Sequence, residues 1–472
     1  MHGLSLLLRL AALIGASCAL AGAAVADAPA PAQPISAADA AALLAALDSA
    51  ADQGLPAVDT KAMRAQLASP DPAVHAQGEA RLAAAAVAYA RAERSGQLAA
   101  DRFPNNWAIR PGRYDAQADF GAARAGQRLA AWVASLPPPD PRYRGLVDAH
   151  SRYAAIVARG GWPRLATSPG LKADVASPAV RLLMQRLAVE DPTVVVPGAA
   201  SPVFDAAVSA AVGRAQDRYG LDATGVVDTA TLAALNVPAD ERLAQIRASL
   251  ERSRWMPRDI PGYRIELNIA AQELTLFDGG APAMVMRAIV GRPNRQTPTF
   301  RDALSGVVFN PPWNVPADIA EAEIWPKARR DAGYLARHHY VVRAGGGLQQ
   351  LPGPDCALGA IKFELSNRFG VYMHDTPTKS LFTRDLRLFS HGCMRLEHPA
   401  DLAKQVLQDN PDWPPSRIDD AIEAGATVRA PLRHPVTVFV IYSTAFVDDQ
   451  GSLAFRADAY KWDSKLIAML PH

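Results

Sequence analysis

The chain has 472 residues, 49% hydrophobic and 20% charged, with 49 Lys+Arg against 47 Asp+Glu and a formal net charge of +2. That length exceeds one ordinary core and predicts roughly two to four domains. So balanced a charge excludes the basic field of a nucleic-acid binder, and so apolar a composition excludes wholesale disorder.

The start carries Arg9, a short Leu- and Ala-rich run and then Ala24-Val25-Ala26. This pattern predicts a secretory signal over 1–26, cut after Ala26. A lipid anchor on Cys18 is the competing reading, against which Gly15 stands where a larger aliphatic residue is wanted. No later stretch approaches the ~20 continuous apolar residues of a membrane span. An exported chain with no transmembrane span is therefore expected.

After an Ala/Pro linker, "SAADAAALLAALDSA" and "GEARLAAAAVAYARAERSG" repeat apolar residues at helical spacing, which predicts a helical domain over 27–165. The aromatic loop "FPNNWAIRPGRYD" interrupts it, and Trp107, Tyr114 and Trp132 are expected to pack in its core or between its helices. A second helical unit is expected over 166–250. There Ser177 and Pro178 start one helix, Gly220 ends the next, and Asp228 starts a third after a turn at Gly225.

Near Tyr263 the period changes from helical to alternating. Ile265, Leu267 and Ile269, then Leu274 and Leu276, predict strands joined by a hairpin turn at Asp278-Gly279-Gly280. "SGVVFN", "AIKFEL", "FGVYMH" and "TVFVIY" add more. A β-rich domain over 258–446 is expected, interrupted by a helical, Gly-rich insertion at about 316–355 that would cap a site. Residues 447–472 form a C-terminal extension.

Chemistry concentrates in "FGVYMHDTP" and "SHGCMRLEHP". Alternation turns Tyr372 and His374 to one face of a strand end and Val371 and Met373 to the other. Cys393 sits in a turn ahead of a helix expected from Pro399, where a helix start and a nearby imidazole would favour its thiolate. Amides around Gly392 and Cys393 could cradle an oxyanion. Two other readings compete. His374, Asp375, His391, Cys393 and His398 are zinc-ligand types, though without a C-x-x-C or H-x-x-x-H spacing. Cys356 and Cys393, the cysteines outside the leader, would suit a structural disulfide in an oxidising compartment.

"HDTPTKSLF…SHGCMRLEHPADLA" resembles the catalytic signature of the L,D-transpeptidases, with "VGRPNRQTPTF", "VVFNPPWNVP", "LPGPDCALGAIKFELSNRFGVYMHDTPTKSLF" and "FVIYSTAFVDDQGSLAFRADAY" similar to the large multi-domain Gram-negative members. "RAQDRYGLDATGVVDTATLAALN" resembles the peptidoglycan-binding-like module of cell-wall enzymes. The resemblance is strong from about residue 258 onward and weaker before 165. It departs at His391, where large members often carry Ser, and at Cys356, where they tend to carry Asn. It implies an α+β multi-domain chain: a β-rich catalytic domain with a helical lid, preceded by helical scaffold and peptidoglycan-binding-like domains.

For chemistry, the resemblance implies Cys393 as nucleophile and His374 as general acid/base, acting on peptidoglycan tetrapeptide stems as donor and acceptor. Tyr372, Gly392, His391, Asp375 and Arg395 would support the oxyanion, substrate or loop. No cofactor or metal is implied, and carbapenems are expected to acylate Cys393. Transfer to a D-amino acid, to a lipoprotein or to water would use the same acyl-enzyme, and a non-catalytic wall-binding scaffold is the reading from another class. An ion pair of Arg395 with Glu397 or Asp401 is the structural alternative for that side chain.

Overall fold

The computed structural model describes residues 33–166, 171, 173–198, 201–448 and 450–471; the leader reading over 1–26, with Cys18, lies outside them. The Ala-rich segments are helices. Ser36 Oγ accepts from the Asp39 amide at 3.0 Å and starts Ala37–Asp48, while Asp71 and Pro72 start Pro72–Ser95. Leu43, Leu47, Leu82 and Ala90 meet in the scaffold core, joined by Trp132. Trp107 does not join them: it packs on Trp255 and Trp462 in the barrel core and pairs with Thr299 as an isolated parallel bridge. The expected packing among scaffold helices is thus corrected for that residue. Its loop reaches across to a neighbouring unit.

The second helical unit contains Pro178–Ala188, Ala206–Tyr219 and Thr229–Leu235. Gly220 closes the middle helix at φ 70°, and Asp228 caps the third through the Thr231 amide at 2.7 Å. Ser177 precedes its helix, but its hydroxyl makes no cap hydrogen bond, so that helix start rests on Pro178. Ala239–Trp255 then runs through the boundary expected near 250 and packs along Pro141–Ala158. Its Arg254 is buried against Glu93 at 3.0 Å and the Tyr143 hydroxyl at 2.8 Å, tying the linker helix to the scaffold.

The alternating segments form one nine-stranded sheet that closes on itself. The ring passes from Arg264–Asn268 through Glu273–Asp278, Ala281–Gly291, Met394–Leu396, Met373–His374, Ile361–Glu364, Phe300–Phe309 and Val428–Ile441 back to its first strand. Leu388–Ser390 attaches at the side of Ala281–Gly291. Gly279 and Gly280 turn the hairpin between Glu273–Asp278 and Ala281–Gly291 at φ 60° and 87°, the left-handed values that a tight two-residue hairpin demands. The barrel interior is filled by Ile265, Leu267, Val307, Phe363, Met373 and Met394.

The insertion is a unit with its own small core of Val315, Ile319, Ala320, Ile324 and Leu348. Besides the expected helices it holds a three-stranded sheet of Trp313–Asn314, Leu348–Gln350 and Tyr340–Val342. The C-terminal segment forms a hairpin, Ala445–Val447 with Leu453–Phe455, whose apolar residues enter the core of the second helical unit. Trp462–Ile467 then returns Trp462 and Leu466 to the barrel core. Among the described residues no helix is long and apolar enough to cross a membrane.

Candidate active site

Met373–His374 runs parallel to Met394–Leu396, with Met373 opposite Met394 and His374 opposite Arg395. The Met394 amide donates to the Tyr372 carbonyl at 3.0 Å, which brings Cys393 level with Tyr372. Side chains alternate along a strand, so Met373, Met394 and Leu396 enter the core while Tyr372, His374, Cys393 and Arg395 share the opposite face. Two short strands therefore assemble a thiol, an imidazole, a phenol and a guanidinium.

His374 is buried, and its Nδ1 lies 2.5 Å from the Asp375 carbonyl oxygen. Donation to that carbonyl fixes the tautomer and leaves Nε2 as the basic nitrogen. The Asp375 carboxylate is not the orienting group. It accepts from the Ala360 amide at 2.9 Å and pairs with Lys379 at 2.7 Å. Burial, reinforced by the Arg395 charge, pushes the ring down to about 3, against the pull of the Asp375 carbonyl.

Cys393 is half-buried, and burial pushes its thiol up; the Tyr372 amide, the Lys362 and Arg395 charges and the Tyr372 hydroxyl act in the opposite sense. Thiol and imidazole are thus both neutral at rest. The thiolate expected from a helix start is corrected here. The strand Met394–Leu396 stands between Cys393 and the helix Pro399–Val406, so that dipole does not meet the sulfur.

The turn before Cys393 is pinned. Gly392 adopts φ 121°, outside the range of ordinary side chains, and its carbonyl accepts from Thr297 Oγ1 at 2.8 Å. Its amide donates to Ser390 Oγ at 3.1 Å, so it is not free for an oxyanion as the sequence had suggested. Ser390 Oγ in turn donates to the Cys393 carbonyl at 2.5 Å. The Cys393 amide has no acceptor among the described residues. It is the open donor of the turn.

His391 points elsewhere. Its Nε2 lies 2.7 Å from Glu323 Oε1, on a π-helical turn of the lid, and Arg292 closes the same cluster by contacting both. Arg395 forms no ion pair with Glu397 or Asp401. Its guanidinium instead feels Cys393 and Glu323, and its Nε is buried without a partner. Cys356 and Cys393 are both free thiols, with the Cys356 sulfur facing the Pro311 carbonyl at 3.6 Å, which removes the disulfide reading. Among the described residues no group of three His, Cys, Asp or Glu side chains could hold a metal ion. His398 is exposed and lies 3.7 Å from Glu397.

Sequence reasoning missed Glu323, Arg292, Lys362 and Trp313. Lys362 Nζ lies over the Tyr372 ring at 4.3 Å, and Trp313 bonds the Tyr372 side chain. Arg292, Trp313 and Lys362 stand inside segments that the resemblance had marked; Glu323 carries no local signal.

The fold and its site define a closed barrel with a thiol and an imidazole on one strand pair beneath a lid. Residues 262–432 match the family model of the L,D-transpeptidase catalytic domain, 33–149 a scaffold domain and 176–235 a candidate peptidoglycan-binding domain. A curated Haemophilus influenzae protein, named there as a candidate L,D-transpeptidase, is 31% identical over 231 residues, 44% of this chain and 47% of that one. The match thus spans about half the length of that relative. Over residues 262–432 the chain is thus similar to the L,D-transpeptidase catalytic domain, and over 176–235 to a peptidoglycan-binding domain. Among solved structures, an L,D-transpeptidase from Xylanimonas cellulosilytica is 16% identical, covering 58% of this chain and 100% of its own at a TM-score of 0.21. L,D-transpeptidase 3 from Mycobacterium tuberculosis, with a faropenem-derived adduct, is 15% identical, covering 38% and 60% at 0.21. Scores this low add nothing to the strand order described above.

Proposed function

We propose that the protein is an exported, periplasmic peptidoglycan L,D-transpeptidase that forms 3-3 cross-links between diaminopimelate residues through an acyl-enzyme on Cys393. The observation that carries this reading is the shared face of Tyr372, His374, Cys393 and Arg395 on two paired strands, with imidazole and thiol both neutral. The Cys393 sulfur attacks the carbonyl of the third stem residue while His374 Nε2 takes the thiol proton. A neutral pair suits this general-base route, since a preformed thiolate is not needed. The Cys393 amide, which has no acceptor of its own, and the Tyr372 hydroxyl would receive the oxyanion. As the C–N bond breaks, His374 returns the proton to the leaving D-Ala amine. The neutral side-chain amine of a second stem then attacks the thioester carbonyl, His374 takes its proton, and the C–S bond breaks as that proton returns to the Cys393 sulfur.

The test is muropeptide analysis after incubation with tetrapeptide-bearing sacculi, together with mass spectrometry of carbapenem-treated protein. Dimers linked 3-3 and a carbapenem adduct on Cys393 are expected. Products ending in a D-amino acid, a lipoprotein lysine or a free carboxylate would reassign the acceptor. An unreacted Cys393 with neither product would leave a wall-binding scaffold.

A further inference from the structure

Away from the catalytic face, a cavity of about 420 Å³ opens at the seam between scaffold and barrel. Five arginines line it: Arg94, Arg110 and Arg113 from the scaffold, Arg258 from the linker and Arg301 from the barrel. No carboxylate is among its lining residues, and none of the five makes an ion pair among the described residues. The carboxylate nearest in sequence to Arg94, that of Glu93, is wholly buried and taken by Arg254 at 3.0 Å and the Tyr143 hydroxyl at 3.0 Å. Only its backbone carbonyl reaches the seam, where it accepts from Arg258 Nη2.

Scattered surface arginines need no explanation, because water solvates each one. These five converge on one concavity. Arg258 Nη1 is buried without a partner, and burial together with the Arg94 charge pushes Arg258 down to about 10. Arg94 lies over the Tyr114 ring at 5.2 Å and Arg301 over the Phe439 ring at 5.7 Å. Such stacking holds a guanidinium plane while leaving its N–H edges for a bidentate oxyanion. Trp255, Met256 and Phe439 supply an apolar wall. Arg110 is held by the Trp107 and Phe103 carbonyls, while the like charges of Arg94 and Arg258 oppose each other across the cavity, which a ligand with two or more oxyanion groups would offset.

We propose that this seam cavity binds a small anion carrying two or more phosphoryl or carboxylate groups, and that binding fastens the scaffold to the barrel. The proposal uses no step of the catalytic reading. Pyrophosphate and citrate, each against orthophosphate at constant ionic strength, are titrated into the mature chain by calorimetry and thermal melting. Saturable binding by at least one of the two, with a rising melting temperature, is expected, and which one binds names the source of the oxyanions. R113Q/R301Q alters two exposed arginines with no ion pairs and should weaken binding at least about tenfold, the size of one lost charge-assisted hydrogen bond. R81Q/R159Q, equal in charge but outside the cavity, should bind as wild type. In the unmutated chain, pyrophosphate or citrate should also protect Arg113 and Arg301 from phenylglyoxal, read by mass spectrometry. Absence of binding, equal weakening in both double variants, or unprotected arginines would overturn the proposal.

Discussion

His374 and His391 stand in nearly the same stretch of sequence chemistry yet face opposite tasks. His374 Nδ1 is spent on the Asp375 carbonyl, whereas His391 Nε2 is spent on the lid through Glu323. His374→Ala should therefore slow carbapenem acylation by ~10²- to 10⁴-fold, the usual cost of a lost general base, and His391→Ala by less than about tenfold. Near-wild-type acylation in His374→Ala would sink the assignment. Cys393→Ser should fold and melt as wild type and take up no carbapenem. The pH dependence follows from the ring held at about 3. Its folded pKa lies below the ordinary value of about 6.5, so the folded ring stays neutral and basic as pH falls from 8 to 5. Acylation should show no loss with an apparent pKa near 6.5. The unfolded chain does take up that proton, so His374 removes stability progressively as pH falls below about 6.5. Melting curves of wild type and His374→Gln from pH 7.5 to 5 should converge for that reason.

At the scale of elements, the lid is the part on which sequence and structure differ most. Its helices were legible as a helical insertion among alternating strands, and so was its position over the site. Its three-stranded sheet was not, because Trp313–Asn314, Tyr340–Val342 and Leu348–Gln350 are too short for a period-2 pattern to register. The same brevity hid Met394–Leu396, the strand that separates Cys393 from the helix start, which was itself legible at Pro399. Glu323, Arg292 and His391 latch the lid to the turn that carries Cys393. With Glu323 43% and Arg292 38% exposed, that latch is worth no more than about 1 kcal/mol. Glu323→Ala should leave the melting temperature nearly unchanged and raise lid opening by up to about fivefold. More water then reaches the thioester, so hydrolysis should rise relative to transfer in an assay with a soluble amine acceptor. An unchanged ratio in a normally folded variant would mean that the latch does not gate water.

For the whole molecule, the order of helical units and barrel was legible because each is built from local periodicity, 3.6 in one and 2 in the other. The seams were not, since contacts between segments far apart in sequence leave no periodic trace. Trp107 reads like any aromatic of a helical domain, yet it lies in the barrel core. The C-terminal hairpin is the clearest case. Phe455 is fully buried among helices, with the Tyr153 ring at 5.5 Å, the Tyr219 ring at 6.4 Å and Arg242 over its face at 4.8 Å. Seven residues later, Trp462 packs on Trp107 at 5.6 Å in the other core. The chain end is therefore a strap that spans two units, one end in each. Phe455→Ala removes a full aromatic side chain from a packed site and should cost about 3–5 kcal/mol. That loss falls on the core shared by Tyr153, Val212 and Leu235, not on the barrel. Limited proteolysis should cut Phe455→Ala within 166–250 at temperatures where wild type resists, while carbapenem acylation of Cys393 at 25 °C stays within about twofold. Simultaneous cutting in the barrel, with acylation lost in parallel, would show that the two cores unfold as one and that the strap transmits stability rather than position.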